Sequence, residues 1–203
     1  MIRIGILGDI GSGKSYVAKN FGYPVFNADY EVGKIYKKDK KIFYKLKKVL
    51  PNYISTFPIK KQELSNAIIS NKSNLKKIIK IVHSEVRKKM NFFLKKYRKR
   101  KVVILDIPLL LENNINTKKD ILIFVQSKKS EITKRLKKRS NFNQKLFEKL
   151  KKVQLPVDYK RKKSKFIIKN NFTNKSVKKE IKRIKKLLNG WDNFRYRNHW
   201  SFS

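Results

Sequence analysis

Cysteine is absent from this 203-residue sequence, and histidine, proline and glycine are scarce, with two, five and seven residues respectively. Without cysteine, the chain can form neither disulfides nor a cysteine-ligated zinc or iron–sulfur site, and it suits a reducing compartment. The two histidines, His83 and His199, lie far apart in the sequence. We therefore do not expect a histidine-ligated metal.

Long apolar runs are missing as well. The apolar stretch that begins at Met1 is interrupted by Gly8 and Asp9, which leaves it far shorter than a signal peptide or a membrane span. We therefore expect a protein that has no membrane association and works in the cytoplasm.

Acidic residues are few, with 14 Asp and Glu against 54 Lys and Arg, so the net charge is +40. Such a charge suggests nucleic acid or another polyanion as a partner. The lysines are nevertheless spread along nearly every predicted helix, which is typical of a bias of the whole chain. We expect solvated lysine faces and no specific nucleic-acid site. A nucleic-acid-associated ATPase is the alternative that the charge suggests.

Five short apolar segments, most of them rich in β-branched residues, predict strands. They alternate with helical patterns, as in a parallel sheet that has helices on both faces. The predicted fold class is therefore α/β, with three layers and a five-stranded parallel sheet. The predicted strands cover residues 2–7, 23–26, 102–105, 121–125 and 166–168.

The helical pattern between the second and third strands, about residues 30–100, is too long for a single crossover. Its apolar residues recur every three or four positions, so it predicts a helical subdomain inserted into the fold. A basic helical stretch follows at 130–152, and a last helix is predicted at 177–188. Aromatic residues crowd into the tail, 191–203, which we interpret as a mobile extension, with partner binding or an edge strand as the alternative.

Residues 8–15 read Gly-Asp-Ile-Gly-Ser-Gly-Lys-Ser and fit the phosphate-binding pattern G-x-x-x-x-G-K-[ST], between a predicted strand and a predicted helix. Glycines let successive backbone N–H groups surround phosphates, and the helix N-terminus adds its dipole. Lys14 would neutralise the β- and γ-phosphates, and the Ser15 hydroxyl would bind Mg²⁺. The predicted ligands are ATP and Mg²⁺, and the predicted nucleotide-binding residues of this P-loop are Gly8, Gly11, Ser12, Gly13, Lys14, Ser15 and Tyr16.

No guanine-reading Asn-Lys-x-Asp motif is present: the two Asn-Lys pairs continue as Ser-Asn at 71–74 and Ser-Val at 174–177. The chain is also short for a motor or transport ATPase, so a small-molecule kinase is the class we favour. Phosphoryl transfer to an alcohol calls for a carboxylate near the attacking hydroxyl. Asp29 follows the second predicted strand, at the sheet edge where the P-loop opens, and is the candidate base. Its alternative role is to cap the helix that begins near Tyr30.

Asp106 closes the third predicted strand, which we expect beside the P-loop strand. A carboxylate there could hold Mg²⁺ directly or through water. The alternative is a cap at the end of the strand.

Four segments, in this order, resemble the dephospho-CoA kinase family: the P-loop, the stretch 24–29, Pro-Leu-Leu-Leu-Glu at 108–112, and Gln-Leu-Pro at 154–156. The resemblance covers roughly the first 170 residues. It implies a P-loop kinase that uses ATP to phosphorylate the ribose 3′-hydroxyl of dephospho-CoA, with an acceptor-binding insertion at about 30–100 and a lid at about 128–159. Another small-metabolite or nucleoside monophosphate kinase is the nearest alternative.

The resemblance also implies roles for single residues. The family's presumed base falls on Asp29, whereas Asn27 replaces another family acid. His83 has the family's position at the acceptor pocket, although Ser84 replaces a proline, and Arg87 follows one turn later; a helix-terminal polar role is the alternative for His83. The substrate-binding residues that we expect are Asp29, His83, Arg87, Pro108 and Leu109.

The lid of the family would bring arginines towards the phosphates. Arg135 and Arg139 are the candidates here, although a solvated face is equally consistent with so basic a segment. Lys160 and Arg161 leave the same two alternatives open. Glu112 belongs to the family signature, but its charge and spacing alone assign it no chemistry. The resemblance does not predict the oligomeric state.

Overall fold

Five parallel strands form one sheet in the computed structural model, which describes residues 1–140 and 142–197, with side chains through residue 190. The order across the sheet is β2-β3-β1-β4-β5, and each neighbouring pair is parallel. The predicted α/β class and five-stranded parallel sheet are confirmed. The strands are β1 (Ile2–Gly8), β2 (Val25–Asn27), β3 (Val102–Asp106), β4 (Ile121–Gln126) and β5 (Phe166–Lys169).

Helices connect the strands. The region between β2 and β3 is helical for most of its length, with four helices. In the described part of the chain, no helix combines the length and the apolar character that a membrane crossing requires. The helices are α1 (Lys14–Asn20), α2 (Ala28–Lys38), α3 (Lys40–Val49), α4 (Lys61–Ser70), α5 (Lys72–Lys96), α6 (Lys129–Lys137), α7 (Gln144–Lys152), α8 (Val157–Lys163) and α9 (Asn174–Arg197).

The C-terminal half departs from the sequence-based expectation in three places. The basic stretch at 130–152 is two helices, α6 and α7, rather than one. Helix α8 was not predicted. Helix α9 continues through Gly190 to Arg197, because one glycine inside a helix costs only about 1 kcal/mol relative to alanine. Part of the predicted aromatic tail is therefore helical, and its residues 198–203 lie outside the described residues.

Two apolar clusters lie on the opposite faces of the sheet, because successive strand residues point to opposite sides. Ile6 and Ile104 belong to the cluster that includes residues of α1 and α9. Their neighbours Leu7 and Leu105 belong to the cluster that includes α2, α3, α4 and α5. The near-continuous apolar composition of β1, β3 and β4 follows from this burial on both faces.

Candidate active site

Four polar segments meet at one edge of the sheet, because the carboxyl ends of parallel strands lie together. The P-loop follows β1, Asn27 ends β2 and Asp106 ends β3. Asn170 directly follows β5 and donates its backbone N–H to Gln126 O at 2.8 Å. This edge is the place where open α/β sheets bind their ligands.

The P-loop backbone requires glycine at Gly13, whose φ is 89°. A Cβ atom at this position would also lie 2.4 Å from Asn170 Nδ2. The same Nδ2 donates to Ser12 O at 2.9 Å, and the Ser127 hydroxyl donates to this carbonyl at 3.0 Å. Since C=O and N–H point in opposite directions in a trans peptide, these bonds turn the Gly13 N–H to the other side. The orientation of the Ser12–Gly13 peptide is therefore fixed from behind.

Lys14 begins helix α1, and its ammonium group folds back over the P-loop. Lys14 Nζ donates to Asp9 O at 2.8 Å and to Gly8 O at 3.2 Å. Desolvation lowers the pKa of Lys14 and the charge of Lys160 lowers it further, whereas Asp106, Asp9 and Asp29 oppose the shift. The ammonium group therefore lies among three carboxylates at the strand ends and has one cationic neighbour.

Asn27 connects the ends of β2 and β3. Asn27 Nδ2 donates to Asp106 Oδ2 at 2.5 Å, and Asn27 Oδ1 accepts the N–H of Tyr30 at 2.7 Å. Asn27 is thus the N-cap of α2, and the alternative that Asp29 caps this helix is wrong. Asp106 ends β3 and is 3% exposed. Its carboxylate accepts the bond from Asn27 at the end of the strand, in keeping with the alternative of a strand-end cap. Asp106 also lines the cavity.

Asp29 lies in the first turn of α2, with its side chain accessible from the cavity. The surrounding protein desolvates the carboxylate and raises the pKa of Asp29; Asp106 raises it further, and Lys14 opposes both effects. Asp29, Asp106 and Lys14 therefore influence one another electrostatically at a single site.

One cavity of about 800 Å³ contains most of the predicted site residues. Gly8 and Ser12 of the P-loop do not line it, because both residues are buried. Arg87 does not line it either: this exposed side chain donates to Asn113 O at 2.7 Å. The predicted residues that line the cavity are Gly11, Gly13, Lys14, Ser15, Tyr16, Asp29, His83, Asp106, Pro108, Leu109, Arg135 and Arg139.

His83 lies on α5, inside the helix rather than at its end, so the helix-terminal alternative is wrong. Its Nε2 atom is buried and has no hydrogen-bond partner among the described residues. Burial lowers the pKa of His83, and the charge of Arg87 lowers it further. The imidazole is therefore neutral at pH 7 and has an open polar atom beside the cavity.

The two lid arginines differ in their surroundings. The Arg135 guanidinium lies 4.4 Å from the centre of the Phe172 ring. Phe172 has a positive φ of 63°, and its N–H donates to Asn170 Oδ1 at 2.8 Å. Arg139 follows the end of α6 instead of lying on it, and its N–H donates to Leu136 O at 3.1 Å. Both arginines are exposed and line the cavity.

The other end of the cavity is apolar. Its wall comes from α2, α5 and the end of α7, and includes Val32, Ile78, Val82 and Val153. Burial raises the pKa of Tyr36 in this wall to about 12. The cavity thus has a polar end at the P-loop and an apolar end at the helices between β2 and β3.

Several residues of this region were missed in the sequence. Asn170 could have been found by the argument used for Asp29 and Asp106, because it is a polar residue immediately after a strand. Phe172 carries no such signal, since only the fold brings it to Arg135. Lys160 and Glu112 were noted in the sequence, but their pairing was not: they form a buried ion pair at 2.7 Å. The alternative that Lys160 lies on a solvated face is therefore wrong. Arg161 is exposed.

Among the described residues, no group of three or more His, Asp or Glu side chains is arranged as a metal cage. Magnesium that binds through phosphates needs only one or two protein ligands. Ser15 and Asp106 both line the cavity near Lys14, so the available oxygen ligands fit such an ion.

A P-loop and a candidate carboxylate that share one cavity, at the edge of a parallel five-stranded sheet, define the class: a P-loop kinase, which uses ATP. A family model of dephospho-CoA kinase matches residues 2–176, and the chain belongs to that family. The resemblance seen in the sequence is thereby confirmed.

Individual relatives agree over nearly the whole chain. The dephospho-CoA kinase of Wolbachia pipientis wMel is 35% identical over 191 residues, which cover 92% of this chain and 97% of the relative. The crystal structure of TT1252 from Thermus thermophilus matches with a TM-score of 0.71 and 26% identity, over 93% of this chain and 97% of that one. The dephospho-CoA kinase from Campylobacter jejuni has a TM-score of 0.58 at 20% identity, over 92% and 96%, which is a likeness of fold.

Proposed function

We propose that this protein transfers the γ-phosphoryl group of ATP to the ribose 3′-hydroxyl of dephospho-CoA, giving coenzyme A and ADP, the last step of coenzyme A synthesis. The observation that carries the proposal is the single cavity that joins Lys14 of the P-loop to Asp29 and to an apolar acceptor end, in a chain of the dephospho-CoA kinase family.

The P-loop binds the triphosphate. The backbone N–H groups of Gly11 and Gly13 and the dipole of α1 attract the phosphates. The buried residues Gly8 and Ser12 stabilise the loop from the inside. The Lys14 ammonium exchanges the carbonyls of Gly8 and Asp9 for β- and γ-phosphate oxygens, which are better partners for a cation. Tyr16, exposed at the third position of α1, completes the nucleotide side of the cavity.

The Ser15 hydroxyl and the Asp106 carboxylate would hold Mg²⁺ beside this loop. A bound ion would neutralise charge that develops on the phosphates. Asn27 holds one oxygen of Asp106 and so fixes the direction in which the other oxygen points.

Asp29 accepts the proton of the attacking hydroxyl. Its raised pKa makes this carboxylate a stronger base than an ordinary aspartate, while the charge of Lys14 favours the ionised form that accepts the proton. Phosphoryl transfer is then in line, from the γ-phosphate at the P-loop to the oxygen beside Asp29.

The acceptor lies between the P-loop and the apolar end. His83, Pro108 and Leu109 line its side of the cavity, and Arg87 supports it through Asn113. Arg135 and Arg139 bind phosphate oxygens from the lid, which comprises about 128–159, and closure of the lid excludes water. The reaction takes place in the cytoplasm, in keeping with a chain that lacks cysteine.

A panel of acceptors tests the proposal. The purified protein is incubated with ATP and Mg²⁺, and ADP release is measured with dephospho-CoA, nucleoside monophosphates, shikimate and no acceptor. Among these acceptors, we expect only dephospho-CoA to raise ADP release above background. Stimulation by a nucleoside monophosphate and none by dephospho-CoA would assign the protein to another metabolite kinase, the alternative that shares this fold and P-loop.

A further inference from the structure

A buried ion pair lies beside the cavity, and the proposed reaction makes no use of it. Lys160 Nζ is 2.7 Å from Glu112 Oε1, and the two side chains are 2% and 8% exposed. Glu112 belongs to the turn after β3, whereas Lys160 lies on α8. The pair therefore joins two segments that are distant in the sequence.

Both members of the pair also bind the short connection between α7 and α8. Glu112 Oε1 accepts the N–H of Leu155 at 3.0 Å, and Lys160 Nζ donates to Gln154 Oε1 at 3.0 Å. Gln154 itself lines the cavity, together with Val153 and Leu150 of the same segment. One cluster of charges thus sets the position of a cavity wall.

Helix α7 is only partly buried. It contains no fully buried residue, packs against α4, and contributes Leu146 and Leu150 as partly buried side chains to the apolar core. Its C-terminal end leads directly into Gln154 and Leu155, which are hydrogen-bonded to the ion pair. The bonds to Glu112 and Lys160 therefore add polar attachments to the apolar contacts at the end of α7.

Stability alone does not account for the pair. A buried ion pair contributes little more than well-packed apolar residues would, because desolvation offsets the attraction of the charges. In addition, Glu112 Oε2 is buried and has no hydrogen-bond partner among the described residues, which is unfavourable. A charge cluster that includes such an atom suggests a role beyond folding.

We propose that Glu112 and Lys160 are positioning residues, which hold Gln154 and the C-terminal end of α7 against the acceptor part of the cavity. This inference rests on the proposed function, because it assigns Gln154 to the binding of dephospho-CoA. Gln154 offers an amide N–H to the acceptor while its oxygen is held by Lys160.

The test compares Lys160→Met, Glu112→Gln, the double variant and Gln154→Ala with the unchanged protein. Lys162→Met is the matched control, since Lys162 is exposed on the same helix. Melting temperature and the KM values for ATP and dephospho-CoA are measured for each. We expect the KM for dephospho-CoA to rise about tenfold in all four variants, the usual effect of a lost hydrogen bond. The KM for ATP should change less than about twofold in Gln154→Ala and in the double variant, which leave the net charge near Lys14 unaltered.

The double variant separates positioning from folding. It leaves no lone charge buried, so its melting temperature should recover relative to Lys160→Met, but Gln154 still lacks its partner and the KM for dephospho-CoA should stay raised. A double variant with an unchanged KM would overturn the proposal. If the pair variants fail to fold, Gln154→Ala alone decides, because an unchanged KM there is equally contradictory.

Hydrogen exchange keeps this inference distinct from the proposed function. In Lys160→Met, amides at 150–155 should exchange faster than in Lys162→Met. We expect this result even if dephospho-CoA proves not to be the acceptor. In that case the acceptor panel would contradict the proposed function, whereas the positioning role of the ion pair would stand. Unchanged exchange at these amides would contradict the positioning role.

Discussion

At the scale of single residues, the site depends on a balance of charge among Lys14, Asp29 and Asp106. Desolvation lowers the pKa of Lys14 and raises that of Asp29, while each group opposes the shift of the other. Asp106 is near enough to influence both. Desolvation and the nearby charge of Asp106, which together make Asp29 more basic, therefore also make its ionised form unfavourable in the folded protein.

Asp29→Asn should consequently stabilise the fold in a pH-dependent way. The folded state binds the Asp29 proton more tightly than the unfolded state, so this group destabilises the fold only once it is ionised. The melting temperature of the variant should equal that of the unchanged protein below the ordinary pKa of 3.8. As the pH rises above this value and through the raised pKa, the melting temperature of the variant should increasingly exceed that of the unchanged protein. A difference that is constant from pH 3 to pH 8, measured by thermal unfolding, would be inconsistent with a raised pKa.

Asn170→Ala should weaken ATP binding. The substitution removes the bond to Ser12 O and the bond from the Phe172 N–H. The P-loop peptide then keeps the bond from Ser127, and Phe172, the partner of Arg135, loses its bond to Asn170. We expect the KM for ATP to rise by about ten- to a hundredfold, in line with leaving buried polar groups unpaired. Asn171→Ala is the control, because the exposed Asn171 side chain is bonded, within the part of the chain that the structure describes, only to Thr173 and Ser176 of its own turn. An equal effect of both variants would contradict the role of Asn170.

At the scale of elements, sequence patterns predict the strands better than the helices. All five strands were located, because each is a short apolar run followed by glycine or a polar residue, and burial on both faces demands that composition. The division of 130–152 into α6 and α7 was missed because lysines obscure the apolar spacing. Asn143, which caps α7 through the Leu146 N–H at 2.9 Å, was the available signal.

Gly5 of β1 is closely packed by two leucine side chains. A Cβ atom on Gly5 would lie 2.5 Å from Leu110 Cδ2 and 2.9 Å from Leu122 Cδ2. Gly5→Ala should therefore destabilise the protein by about 1–3 kcal/mol through overpacking, as measured by urea unfolding. Gly33→Ala is the control, since a Cβ atom there meets nothing within 4 Å. Equal stability of the Gly5 variant would mean that Leu110 can move aside.

Juxtapositions across elements are the part of the site that the sequence alone could not predict. Lys14 was recognised from the P-loop pattern, and Asp29 and Asp106 from their positions at the carboxyl ends of predicted strands. The pairing of Lys160 with Glu112, and of Arg135 with Phe172, depends on how α6, α8 and the loops pack. Nothing in the local pattern of a lysine-rich helix distinguishes a buried lysine from a solvated one.

At the scale of the whole molecule, the net charge of +40 has to be reconciled with a small-molecule kinase. The lysines lie mostly on exposed helix faces, whereas the cations that line the cavity are Lys14, Arg135 and Arg139. We therefore attribute the net charge to the composition of the chain and expect only nonspecific attraction of polyanions.

Salt should reveal this difference. Single-stranded DNA of mixed sequence should bind at 50 mM salt and lose about three hundredfold or more in affinity by 200 mM, as counterion release requires when about six or more phosphates are contacted. DNA should not stimulate ADP release at either concentration. Binding that persists at 200 mM with sequence preference, together with stimulated turnover, would favour the nucleic-acid-associated ATPase.

The central claim is that Asp29 prepares an alcohol for attack on a γ-phosphate held by Lys14 and the P-loop. Asp29→Asn tests it most directly, with ATP affinity measured by equilibrium titration and turnover by ADP release with dephospho-CoA. We expect an affinity within about twofold of that of the unchanged protein and a turnover reduced by on the order of a hundredfold or more. A turnover equal to that of the unchanged protein would exclude Asp29 as the base.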